Sequence, residues 1–169
     1  MKANDAVTAV RQRLSHQKFG RRGRKSDRVW AHRMLLLRGG DTLSSGGVAR
    51  LHTLFRVDDV TGDLEAVWTV KKQVRRLLAC SSLAEAHEEK MRLGYYVMVA
   101  DMPETDGVWS LVWKWWAQIE VLVITGVGNA KTEAANTMIK NIKRTARGFR
   151  NADHYRTRIL LASAARSAA

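Results

Sequence analysis

A predicted helix late in the sequence combines one carboxylate with a row of cations. Side chains spaced four, three, four and three residues apart share one face of this helix: Glu133, Thr137, Lys140, Arg144 and Arg147. The dipole at a helix start favours an ionised carboxylate, and lysines and arginines hold a phosphate backbone in register. Such a face could present a metal-binding carboxylate beside a nucleic acid. The alternative is that Glu133 only stabilises the first turn of its helix.

Turn and cap residues delimit this helix. A turn rich in glycine and asparagine spans residues 125–129, and Thr132 is the predicted N-cap. Gly148 is predicted to end the helix, and Asn151 to cap a final one. The opposite face of the helix is apolar: Ala135, Met138, Ile139, Ile142 and Ala146.

The rest of the sequence also predicts helices, so we expect an all-α fold of about six to eight helices with no central sheet. Pro103 is the only proline, and paired glycines mark the predicted breaks. Ser82 and Glu85 form a capping box that should open a helix. Apolar periodicity predicts further helices over residues 4–17, 27–38, 45–55 and 64–78, and after Pro103.

Large apolar residues at helical spacing predict two buried stripes. In the helix over 27–38 the stripe consists of Trp30, Met34 and Leu37. After Pro103 it consists of Trp109, Trp113 and Trp116, with Val112 and Ile119 alongside. Aromatic side chains at this spacing usually pack against neighbouring helices, so we expect the three tryptophans to be buried together. Trp115 lies off the stripe.

Basic residues are concentrated at the two ends of the chain. Residues 11–38 hold ten Lys/Arg and one acid, and residues 131–166 hold nine Lys/Arg and two acids. Between them, nine Lys/Arg stand against twelve acids, so the net charge of +13 comes entirely from the two ends. Because neutralised phosphates release condensed counterions, this distribution predicts a polyanionic partner. The alternative is a surface that happens to be basic. Residues 18–25 are predicted to form a basic arm that orders only on its partner.

Other residue types exclude several classes of protein. A single cysteine, Cys80, rules out a disulfide framework and a multi-cysteine zinc site, and it fits a reducing cytoplasm. We find no signal-peptide pattern and no run of residues that is apolar enough to span a membrane. Asp58, Asp59 and Asp63 surround a Thr-Gly pair and are interpreted as a solvated turn. The five histidines are scattered and suggest no ligand pair.

Specific motifs close the sequence. Residues 125–144 read TGVGNAKTEAANTMIKNIKR, residues 148–151 read GFRN, and residues 155–158 read YRTR. These motifs resemble the end of insertion-sequence transposases of the ISL-three family, whose form is close to TGVSNGPTExxN, IKxxKR and GFRN. The resemblance continues through residues 20–25, 33–38 and 2–7, so it covers essentially the entire chain. Gly128 replaces a serine of the family motif, and Ala130 and Lys131 replace Gly-Pro, which loosens the turn before Glu133.

The resemblance implies a ribonuclease H-like catalytic domain that uses two aspartates and a glutamate, with the glutamate matching Glu133. The three carboxylates would hold two Mg²⁺ ions that activate first water and then a DNA 3′-hydroxyl. The helical stretch before Gly126 would be an insertion between the second aspartate and the glutamate. That aspartate lies just upstream of the stretch matched by residues 2–5, so both aspartates fall outside this sequence.

We therefore expect the C-terminal piece of a bacterial transposase, with a helical insertion region over residues 1–124 and the glutamate helix and final helix over residues 125–169. It should bind double-stranded DNA and be catalytically incomplete alone, in the cytoplasm, with no membrane or small-molecule substrate. Candidate further partners are a second copy and a full-length transposase. Alternatives are a stand-alone DNA-binding regulator or inhibitor of such a transposase, and an RNA-binding helical protein. The predicted DNA-binding residues are Arg21, Arg22, Arg24, Lys25, Lys140, Lys143, Arg144, Arg147 and Arg150.

Overall fold

The computed structural model describes residues 2–126, 130–145 and 151–167, and every regular element within these ranges is a helix. The elements are α1 (Ala3–Phe19), α2 (Arg28–Ala31), α3 (Arg33–Leu37), a 3-10 helix (Gly40–Thr42), α4 (Ser45–Asp58), α5 (Asp63–Leu78), α6 (Leu83–Ala100), α7 (Pro103–Lys114), α8 (Trp116–Thr125), α9 (Ala130–Thr145) and α10 (Ala152–Ser167). The prediction of an all-α fold is confirmed. In the described ranges, none of these helices is long and apolar enough to cross a bilayer.

The chain divides into two compact units, Met1–Gly126 and Val127–Ala169. In the first unit, α5 packs against α1, α6 and α7, while α2 and α3 pack against α4. In the second unit, α9 packs against α10. The proposed functional division between residues 124 and 125 stays a prediction.

Helix α5 shows how the apolar pattern builds the first unit. Leu64, Val67, Trp68 and Leu77 are buried, whereas Leu78 is 46% exposed. Burial of each large apolar side chain contributes about 1.5–3 kcal/mol, so these side chains fix α5 among its neighbours.

The predicted capping interactions largely hold. Ser82 Oγ accepts the Glu85 N–H at 3.3 Å, and the Glu85 carboxylate accepts a free amide at the same helix start, that of Ser81, at 3.1 Å. At the start of α10, Asn151 Oδ1 accepts the Asp153 N–H at 2.8 Å. Both caps satisfy amides that have no partner inside the helix.

Two predicted helices are each divided in two, which brings the count among the described residues to ten α-helices. The first break falls at His32, whose ring Nδ1 lies 2.8 Å from the Arg28 carbonyl. Beyond this break, Leu36 is fully buried and Met34 is 55% exposed. The predicted buried face with Met34 is therefore wrong.

The second break, at Trp115, separates α7 from α8. Trp113 is 56% exposed, so the prediction that it is buried together with Trp109 and Trp116 is wrong. The ammonium of Lys90 lies 3.8 Å from the ring centroid of Trp113 and 3.9 Å from that of Trp116. A cation–π contact with α6 therefore replaces part of the expected aromatic seam. Val112 and Ile119 of the same stripe are buried as predicted.

Candidate nucleic-acid interface and catalytic glutamate

Glu133 lies in the first turn of α9 with its side chain exposed. The helix begins at Ala130, so Thr132 lies inside it and the predicted N-cap role of Thr132 is wrong. Alanine and lysine are good helix formers, and Ala130 and Lys131 therefore extend α9 towards its N-terminus. Glu133 is thus an accessible carboxylate at the start of its helix.

The cations of α9 follow at the other end of the helix. Lys140, Lys143 and Arg144 are exposed, and none of them forms an ion pair within the described ranges. A rise of 1.5 Å per residue places Lys140 about 10 Å and Arg144 about 16 Å along the axis from Glu133. The carboxylate and these cations therefore do not neutralise each other. The predicted DNA-binding residues Arg147 and Arg150 lie outside the described residues.

The opposite face of α9 is apolar, as predicted where it is described. Met138, Ile139 and Ile142 are half-buried, and α9 packs against α10. Glu133, Lys140 and Arg144 lie on the other face of α9, because residues three or four apart share one face of a helix. The second unit therefore holds Glu133 and its cations on a supported helix.

The carboxylate of Asp27 binds two residues of the basic segment over residues 18–25. Helix α1 continues to Phe19, and Arg21 then turns back to Asp27, with distances of 2.9 Å from Nη1 to Oδ2 and 3.1 Å from Nη2 to Oδ1. Asp27 also accepts the Arg24 N–H at 2.6 Å. Hydrogen bonding to Arg21 lowers the pKa of Asp27. That the segment orders only on a partner stays a prediction, and Asp27 already binds two of its residues within the fold.

This arrangement separates the predicted DNA-binding residues of the segment into two kinds. Asp27 neutralises the charge of Arg21. Arg22, Arg24 and Lys25 are exposed, and their side chains form no ion pair within the part of the chain that the structure describes. These three, rather than Arg21, present free positive charge to a partner.

A cluster of three guanidinium groups beside this segment was not predicted. Arg11 of α1 is only 6% exposed, and its buried Nη1 has no hydrogen-bond partner within the described ranges. Burial lowers the pKa of Arg11, and the neighbouring charges of Arg22 and Arg33 lower it further. Gathering like charges in this way is costly, and a bound anion would relieve the repulsion. Sequence spacing gives no signal for this cluster, because α1, the loop and α3 meet only in the folded unit.

Three aspartates of the first unit, Asp58, Asp59 and Asp63, stabilise the fold. Asp59 is buried and caps α5 by accepting the N–H groups of Leu64 and Glu65 at 3.2 and 2.8 Å, so its interpretation as part of a solvated turn is wrong. Asp58 pairs with Arg28 at 3.4 Å, and Asp63 with Arg13 at 2.8 Å. Within the described residues, no group of three or more His, Cys, Asp or Glu side chains is placed to hold a metal ion.

The sequence was compared with protein-family models, curated proteins and solved structures. A family model described as Transposase, that of the ISL-three type, matches residues 1–159. The match spans nearly the whole helical, basic chain and includes Glu133 and the cations of α9, which defines the class as a transposase. The chain belongs to the ISL-three family of transposases. No curated protein and no solved structure matches it.

Proposed function

We propose that the chain is the C-terminal, DNA-binding part of a transposase and that it contributes Glu133 to the active site of that enzyme. The family match over residues 1–159 is the observation that carries this proposal. The exposed position of Glu133 in the first turn of α9 supports the role of a metal ligand, since carboxylate oxygens suit Mg²⁺. On this proposal the chain works on DNA in the bacterial cytoplasm.

Two sets of unpaired cations support duplex DNA as the partner. Arg22, Arg24 and Lys25 belong to the first unit, and α9 carries the second set. Contacts with phosphates position a protein on DNA without reading its sequence. We therefore expect binding that depends steeply on salt and shows little sequence preference. Each phosphate contact contributes about 0.9 to the slope of log K against log salt concentration.

Glu133 fits one position in a shared metal site, and it does not make a site by itself. Paired Mg²⁺ ions in such a site activate water for strand cleavage and a 3′-hydroxyl for strand transfer. Mg²⁺ keeps most of its water ligands when it meets a single carboxylate, so Glu133 alone should bind it weakly. Further carboxylates must come from outside the described residues, and a chain that supplies them is the second proposed partner.

Equilibrium binding to duplex DNA over about 50–200 mM salt tests whether the chain binds DNA through phosphate contacts. Arg24→Gln should weaken binding and reduce the slope by about 1, because it removes one unpaired phosphate-binding cation. Lys114→Gln, which removes an exposed cation of α7, is the matched control and should leave the slope unchanged. Absence of binding at low salt, or a flat salt dependence, would contradict the proposal.

Cleavage of a plasmid and of oligonucleotides that contain the transposon ends tests the role of Glu133. The chain alone should not cut DNA with Mg²⁺ or Mn²⁺, because one carboxylate cannot position two ions about 3.5–4 Å apart. Metal-dependent cleavage that disappears in Glu133→Gln would show that the chain completes its own active site. When the chain complements a partner that supplies the aspartates, Glu133→Gln should abolish cleavage and leave DNA affinity unchanged.

A further inference from the structure

A cleft of about 510 Å³ opens between α4 and the second half of α5 in the first unit. Its cations are Lys72, Arg75 and Arg76 of α5, and His52 of α4 adds an imidazole. Trp68 contributes an apolar wall. A volume of this size is typical of sites for molecules larger than a single small anion. None of these residues belongs to the basic segments that the sequence singles out.

The three cations share one face of α5, since they stand three and four residues apart along the helix. Arg75 Nη2 lies 3.0 and 3.1 Å from the two carboxylate oxygens of Asp41, which holds its guanidinium at the cleft. A Cβ at Gly39 would come within 2.6 Å of the same Nη2, so a larger residue there would shift the Arg75 side chain. Asp41 is the only acid that lines the cleft among the described residues, and the cleft therefore keeps an excess of positive charge.

The other two cations are available to a ligand. Lys72 Nζ lies 4.5 Å from the ring centroid of Trp68, and it forms no ion pair in the described ranges. Arg76 is exposed and is likewise unpaired within those ranges. Basic residues in the last turn of a helix also complement its dipole. That ordinary role explains neither the fixed Arg75–Asp41 pair nor the apolar wall beneath Lys72.

We propose that this cleft binds the sugar–phosphate backbone of DNA, with phosphates at Lys72 and Arg76 and a deoxyribose against the apolar lining of Val48 and Ala79. The inference rests on the proposed function, because it adds a DNA contact to a DNA-binding chain. Phosphate and sugar groups receive about half to two-thirds of the hydrogen bonds between proteins and DNA. A cationic rim above an apolar wall matches both parts of that backbone.

The test compares two double variants of the full chain across a salt series with duplex DNA. Lys72→Gln with Arg76→Gln should weaken binding and reduce the salt slope by about 1 to 2, which is the loss of up to two phosphate contacts. Lys2→Gln with Lys114→Gln removes the same charge from exposed positions outside the cleft. An equal change in both double variants overturns the proposal. Failure of the unmodified chain to bind DNA would instead refute the proposed function.

Two further measurements separate folding and small-anion effects from DNA binding. Arg76→Gln alone alters only an exposed side chain, so it should fold normally and still reduce the slope by about 1. Inorganic phosphate is titrated at constant ionic strength while the indole resonance of Trp68 is followed. Saturation at micromolar phosphate, with DNA binding unchanged in the double variant, would assign the cleft to a free anion and overturn the proposal.

Discussion

Replacement of Lys71 by methionine tests how a buried ammonium group joins α5 to α3. Lys71 is only 3% exposed, and its Nζ donates hydrogen bonds to the carbonyls of Leu36 and, at 2.7 Å, Arg38. These carbonyls lie at the end of α3, where backbone acceptors have no partner inside the helix. Methionine keeps the length and apolar stem of lysine but removes both donors.

The structure gives opposing contributions to the free energy of unfolding. Each carbonyl left without a partner costs about 1–3 kcal/mol. In the other direction, burial lowers the pKa of Lys71 from 10.5 to about 8. A difference of that size means that folding penalises the ammonium form by about 3 kcal/mol more than the neutral amine. The neutral amine still carries two hydrogens and can donate to both carbonyls, so it avoids the desolvation cost without losing the hydrogen bonds.

The pH dependence follows from this difference. Because the pKa in the fold is lower than in the unfolded chain, the unfolded chain binds more protons between pH 8 and pH 10.5. The contribution of Lys71 to stability is therefore smallest below pH 8 and rises as the pH increases through that window. Lys71→Met should be less stable than the unmodified chain, and the gap should widen by about 1–3 kcal/mol between neutral pH and pH 10.

Urea unfolding of both chains at several pH values measures this gap, and the subtraction cancels groups that titrate alike in both. A gap that stays constant or narrows with rising pH would refute the reasoning. It would show that the two carbonyls stabilise the ammonium more than burial penalises it.

Two further predictions concern charged groups that hold the first unit together. Arg13→Gln should lower the free energy of unfolding by about 2 kcal/mol, because it leaves the mostly buried Glu104 and the neighbouring Asp63 without their shared partner. Arg75→Gln, on a pair whose two side chains are both largely exposed, should change it by less than about 1 kcal/mol. Asp59→Ala should cost about 1–2 kcal/mol through loss of the α5 cap, whereas Asp59→Asn keeps the cap and should be nearly neutral. Equal effects of the two changes within either pair, measured by urea unfolding, would contradict these assignments.

The sequence predicts the helices well because apolar periodicity and local caps are short-range signals. Ser82 and Glu85, three residues apart, predict the start of α6. The apolar face of α5 can be predicted from the spacing of its own apolar residues. Which side chains are buried beside the breaks at His32 and Trp115 depends on contacts with residues far along the chain, such as Lys71 and Lys90. A run of three leucines before Arg38 offers more than one residue for the core, and Leu36, whose carbonyl accepts from Lys71, is the one that is fully buried.

The candidate site could be predicted only in part for the same reason. The family motif identifies Glu133, and composition identifies the basic ends. Composition does not predict the cleft beside α5, because residues 39–130, which include α5, have a negative net charge. In the folded unit, acids such as Asp59 and Asp63 form helix caps and ion pairs. Arg76 and Lys72 therefore have no carboxylate partner among the described residues. Which charges are free is a property of tertiary contacts, and no count along the sequence provides it.

The division between structural and free cations also limits how strongly the chain can respond to salt. Carboxylates, carbonyls or indole rings already bind four cations: Arg13, Lys71, Lys90 and Arg21. These cations cannot neutralise DNA phosphates and release counterions while those contacts remain. The net charge of +13 therefore overstates the number of phosphate contacts. The salt slope should instead follow those exposed, unpaired lysines and arginines that contact phosphates, and each of these that is removed should change it by about 0.9. Removal of Arg21 should change it by less, since Asp27 already neutralises that charge, and an equal effect of Arg21→Gln and Arg24→Gln would show that the Arg21–Asp27 pair opens when DNA binds.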